Sequence, residues 1–148
     1  MASRTHVVCF GNELHADDGF GPAVHAALSR TKLPEGVRLM RADAASPAAI
    51  DCFDACDAVV VVDVLGGFGE PGSVHCLPAE AVAAECGAGH GAGVGRLLET
   101  VRAALPRPPR VRVIGVEAAR LDAFRPGLSA PVAAALPQVT RAVMEALT

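Results

Sequence analysis

The sequence predicts an α/β protein: one domain over residues 1–148, with a mostly parallel, twisted five-stranded sheet flanked by helices. Three observations carry this reading. His6 to Phe10, Ala58 to Leu65 and Val111 to Val116 are short, β-branched and nearly continuous in apolar character, as strands covered on both faces must be. Helical patterns alternate with them, an arrangement that gives a layered domain with right-handed crossovers. At 148 residues and 51% hydrophobic, the chain has one domain's length and enough apolar side chains for a proper core.

The remaining elements follow in order. A weaker strand, Val37 to Met40, precedes the second helical segment. Ser73 to Leu77 follows the turn Gly69-Glu70-Pro71-Gly72, which is too short for a crossover helix, so this strand is expected antiparallel at an edge. The first helix starts just after the acidic pair Asp17-Asp18, with Pro22 in its opening turn and Val24, Ala27 and Leu28 on one face. Val94, Leu97, Leu98, Val101 and Leu105 make an amphipathic stripe ended by Pro106-Arg107-Pro108-Pro109. Ser129 suits the N-cap of a terminal helix carrying Val132, Leu136, Val139 and Val143, which Pro137 should kink or divide.

Composition excludes several functions. A net charge of -3, with Lys32 the sole lysine and no Lys/Arg cluster, argues against a nucleic-acid or membrane surface. No apolar run reaches the roughly 20 residues of a membrane span and no signal-like stretch opens the chain, so a cytoplasmic protein is expected. Cys9, Cys52, Cys56, Cys76 and Cys86 are an odd set without CxxC spacing, which favours reduced, mostly buried thiols over disulfides or a zinc site. The usual nucleophile elbow and dinucleotide-binding glycine loop are both missing.

The chemistry concentrates in three places. The first strand breaks into Gly11-Asn12-Glu13-Leu14-His15-Ala16-Asp17-Asp18-Gly19-Phe20-Gly21, which puts two carboxylates at a strand's carboxyl end, where open α/β sheets bind ligands. Helix capping explains one such carboxylate well; two adjacent ones repel, and a cation would relieve them. Asp63 interrupts the run Val59 to Leu65, where an unpaired charge is expensive. His90 lies in the glycine-punctuated Gly87 to Gly95, whose backbone freedom suits close approach to a ligand. Carboxylates and one imidazole with open positions describe an incomplete site for a borderline divalent ion, Zn²⁺ or Ni²⁺. His15, His25 and His75 are weaker candidates.

At these residues the chain resembles the hydrogenase maturation endopeptidases, which trim the C-terminus of the large subunit of nickel-iron hydrogenases. The loop Gly11 to Gly21 matches the family's Gly-Asn-x-Leu-x-x-Asp-Asp/Glu-Gly-x-Gly, Val59 to Asp63 its second block, and Gly89-His90 its third. Val113 to Glu117 and Gly127-Leu128-Ser129 resemble its C-terminal blocks. The resemblance implies that Asp18, Asp63 and His90 are the metal-binding trio, with Gly11, Asn12, Asp17 and Gly19 shaping the loop. It further implies that the partner is an immature large subunit, and that the ion is nickel supplied by this substrate, for which zinc or a similar ion could substitute. The family's Asp-Gly-Gly-Thr segment is replaced by Arg41 to Ser46, where Asp43 is the candidate for substrate recognition, and its proline after Glu117 is Ala118.

Two other functions fit parts of the pattern. A nickel carrier would bind the ion and cut nothing. A receiver-like signalling module also has an acidic pair after its first strand, but it requires a lysine where this chain has Glu117.

Overall fold

The computed structural model describes residues 3–84, 92–122 and 124–148. Five strands, β1 (Thr5–Phe10), β2 (Val37–Ala42), β3 (Ala58–Leu65), β4 (Val74–Pro78) and β5 (Arg110–Glu117), form one sheet in the order β2-β1-β3-β5-β4. β1 pairs with β2 and β3, and β3 with β5, all parallel; β4 runs antiparallel to β5 at the edge, as the short turn before it requires.

The apolar runs become central strands because both faces are covered. Toward one side, Val7, Cys9, Val60, Val62, Val64, Ile114 and Val116 pack against α1 (Phe20–Ser29), α4 (Ala130–Ala134) and α5 (Leu136–Ala146). Toward the other, Val8, Phe10, Val59, Val61, Leu65 and Val113 pack against a 3-10 segment (Pro47–Phe53), α2 (Ala79–Ala84) and α3 (Ala92–Ala104). Each buried valine or leucine contributes on the order of 1.5–3 kcal/mol relative to exposure. β2 has no fully buried residue, only half-buried and exposed ones, as befits an edge strand.

Two expectations need adjustment. The acidic pair lies in a 3-10 turn (Ala16–Gly19) that leads into α1, rather than in a plain loop. Ser129 precedes α4 but its side chain makes no cap hydrogen bond, because its hydroxyl is committed to Asp17 instead. Pro137 divides the terminal helix: α4 ends, and α5 restarts at Leu136 with the proline in its first turn. Cys9, Cys52, Cys56 and Cys76 are free thiols, while Cys86 lies outside the described residues.

Candidate active site at the carboxyl edge of the sheet

The site begins where β1 ends. Gly11 has φ +139°, and a Cβ there would strike the carbonyl oxygen of Asp18, so only glycine lets the chain turn this tightly over the 3-10 segment. Gly21 is equally constrained, because a Cβ would strike the carbonyl oxygen of Phe10. Asn12 then shapes the loop from within: its amide donates to Asp18 Oδ2 at 3.0 Å, and its Oδ1 accepts from the amide of Leu14 at 2.9 Å. Gly19 closes the turn against Glu13.

The adjacent carboxylates have separate surroundings. Asp17 is completely buried and faces the segment that follows β5, accepting the amides of Ala119, Arg120 and Ser129 at 2.7–2.8 Å and the Ser129 hydroxyl at 2.9 Å. Burial alone would push its carboxyl up, but these bonds outweigh that and hold it below the usual carboxylate value. Asp17 therefore ties the turn to the segment that follows β5. Asp18, 8% exposed, instead lines a pocket of about 170 Å³ together with Gly11, Asn12, Asp43 and Asp63.

Asp63 reaches this pocket through the alternation of β3. Val59, Val61 and Leu65 pack on the α3 side, and Asp63 falls in the same series, so a carboxylate occupies a place the pattern assigns to a hydrophobe. It is 5% exposed, and Phe10, Gly93 and Val94 complete the wall around it. Asp43, just past β2, enters the same pocket with its Oδ1 accepting the amide of Ala45 at 2.9 Å. His90 lies outside the described residues, in the stretch that precedes α3. Among the described residues, no three His, Cys, Asp or Glu side chains cluster closely enough to hold a metal by themselves.

The other candidates are accounted for by local contacts. His15 meets Phe124 edge-on, His75 hydrogen-bonds Ser73 at 2.8 Å, and His25 lies on α1 with its imidazole pKa lowered by burial and by Arg41. Burial pushes the Cys9 thiol up to about 12, with Arg41 opposing and Asp63 adding to the shift, so it is no nucleophile. Glu117 was missed as a structural residue: 7% exposed, it accepts the amides of Gly67 and Phe68 at 2.9 Å each and so fixes the turn after β3. A carboxylate so placed cannot do a receiver lysine's work.

A family model described as HycI, hydrogenase maturation protease, matches residues 22–146. The chain belongs to the hydrogenase maturation protease family. That match begins just past the acidic loop, which ends at Gly21. No curated protein sequence matches the chain. Among solved structures, it resembles the hydrogenase maturating endopeptidase HybD from E. coli, with a TM-score of 0.84 and 24% identity over 97% of this chain and 91% of that one. The [NiFe] hydrogenase maturation protease HybD from Thermococcus kodakarensis gives 0.78 and 20% over 98% and 99%. The hydrogenase 2 maturation peptidase from a Thaumarchaeota archaeon gives 0.68 and 27% over 97% of each chain. These likenesses agree with the observed fold, a five-stranded, mostly parallel sheet flanked by helices. Among the described residues, no helix is long and apolar enough to cross a membrane.

Proposed function

We propose that this maturation protease removes the C-terminal extension of an immature nickel-iron hydrogenase large subunit, and that it recognises nickel already inserted in that precursor. The observation that carries the reading is the shared pocket of Asp18 and Asp63 at the carboxyl edge of the sheet, in a chain of this family. Two nearly buried carboxylates offer oxygen donors to a cation, and His90 is proposed to add an imidazole nitrogen. The nickel belongs to the substrate and would supply Lewis acidity, polarising the scissile carbonyl or a water. Asp18 and Asp63 orient the precursor by holding its metal centre, Asn12 keeps Asp18 in place, and Asp43 selects among precursors at the pocket's mouth. The protein acts where such precursors are made, in the cytoplasm.

The test is to mix the protein with nickel-loaded and nickel-free large-subunit precursor and follow C-terminal trimming by mass spectrometry. Cleavage is expected only of the loaded form, with losses of at least 100-fold in Asp18→Ala, Asp63→Ala and His90→Ala, the scale at which removing one charge-stabilising group acts. Equal trimming of both forms would remove nickel recognition. Binding of loaded precursor without trimming would make the chain a nickel carrier.

A further inference from the structure

Among the described residues, the large hydrophobic side chains left exposed are Leu14, at 52%, and Phe124, at 82%. They stand together. Leu14 and His15 lie between Asn12 and Asp18, both of which line the carboxylate pocket. A parallel bridge pairs His15 with Arg125, which puts Leu14 and Phe124 at adjoining positions on the two segments, and the rings of His15 and Phe124 meet edge-on with centroids 5.5 Å apart.

Single exposed hydrophobes are ordinary on a protein surface. Here Phe124 itself, and Ala16 two residues past Leu14, hold backbone conformations that the fold strains to maintain. Phe124 has φ +58° and Ala16 φ +49°, both in the left-handed region that side chains avoid, and they sit on the two facing segments. Beneath them the Asp17 carboxylate takes the amides of Ala119, Arg120 and Ser129, while Ala16 and Asp17 donate their own amides to the carbonyls of Arg125 and Arg120. Residues on either side of the exposed ring are therefore hydrogen-bonded to the acidic turn. Around the ring, Glu13 pairs with Arg41 and Asp122 with Arg125, giving a polar surround to an apolar centre, the anatomy of a recognition surface.

We infer that Leu14, His15 and Phe124 form a docking knob that enters an apolar recess of the large-subunit precursor beside its metal centre. This rests on the function proposed above. The occupant follows from continuity: Leu14 and His15 lie on the short loop whose two ends, Asn12 and Asp18, line the pocket, so a protein large enough to bring a peptide bond to Asp18 and Asp63 also meets the loop's tip. An exposed aromatic side chain buries a large apolar area when it docks, and binding energy concentrates at such anchors.

The test uses Phe124→Asn combined with Leu14→Gln, because asparagine tolerates the left-handed backbone while removing the ring. Circular-dichroism melts check that the variant folds as the wild type does. We expect KM and the dissociation constant for nickel-loaded precursor to rise at least tenfold, with kcat changing less than threefold. Unchanged KM and binding, with wild type cutting normally, would overturn the knob. A wild type that binds without cutting, and a variant that loses binding, would keep the knob and remove the protease reading; a wild type that does neither removes both. A dimer in sedimentation that the variant abolishes, with KM unchanged, would assign the surface to a second copy and overturn the proposal.

Discussion

At the scale of single residues, Asp17 ties the acidic turn to the segment after β5, while its neighbour Asp18 lines the pocket. The doublet was legible as unusual, since capping needs only one carboxylate, but which member faces the pocket depends on residues more than a hundred positions away. Ala119, Arg120 and Ser129 claim Asp17, and no local pattern announces that. Glu117 escaped functional notice for the same reason, its partners Gly67 and Phe68 being distant in the chain. Asp17 yields a prediction with a sign. Its carboxyl is held below the ordinary value, so the stabilisation it gives is complete above the unfolded pKa of about 3.9 and is lost as pH falls through the folded pKa. Asp17→Asn should cost about 2 kcal/mol in urea unfolding at pH 7, because an amide group now faces buried donors. That gap should shrink as the pH is lowered from 4 toward 3, since the wild type then gives up the same interaction; a gap that stays constant would mean the negative charge is not what those amides hold.

At the scale of elements, the strands were legible because burial on both faces leaves continuous apolar runs, and the antiparallel β4 because its turn is too short to cross over. The 3-10 segments and α2 were not, being short and poor in periodic signal: Ala79–Ala84 is mostly alanine, and Pro47–Phe53 turns on a Ser46 cap whose hydroxyl takes the amide of Ala48. The divided terminal helix was half legible. Pro137 announced an interruption, yet only the structure shows that it occupies the first turn of α5, where a missing amide proton costs nothing. Pro137→Ala should therefore change unfolding free energy by less than about 1 kcal/mol, far from the roughly 3 kcal/mol that a proline in a helix interior costs. Denaturant titration decides this. A gain approaching 3 kcal/mol would mean that the proline strains a helix that is otherwise continuous.

At the scale of the whole molecule, the sheet gathers at one edge what the sequence spreads from residue 18 to residue 63. β1, β2 and β3 are parallel neighbours, so the segments at their carboxyl ends deliver Asp18, Asp43 and Asp63 to one pocket. Convergence of Asp18 and Asp63 followed once the strands were assumed adjacent; Asp43 could be named only through resemblance, since an exposed aspartate in a loop carries no signal of its own. Its position lets stability and function be separated. Asp43 is exposed and its one described side-chain bond, to the Ala45 amide, is preserved by asparagine, so Asp43→Asn should leave the unfolding free energy within about 0.5 kcal/mol of wild type. If Asp43 selects the precursor, the same change should raise KM for the nickel-loaded large subunit severalfold, and more for one hydrogenase's precursor than for another's. Steady-state trimming of two such precursors measures this directly. Identical KM values with both would leave Asp43 as a turn residue, and would move the choice of partner to the knob at Leu14 and Phe124, whose substitution should then be what separates the two substrates.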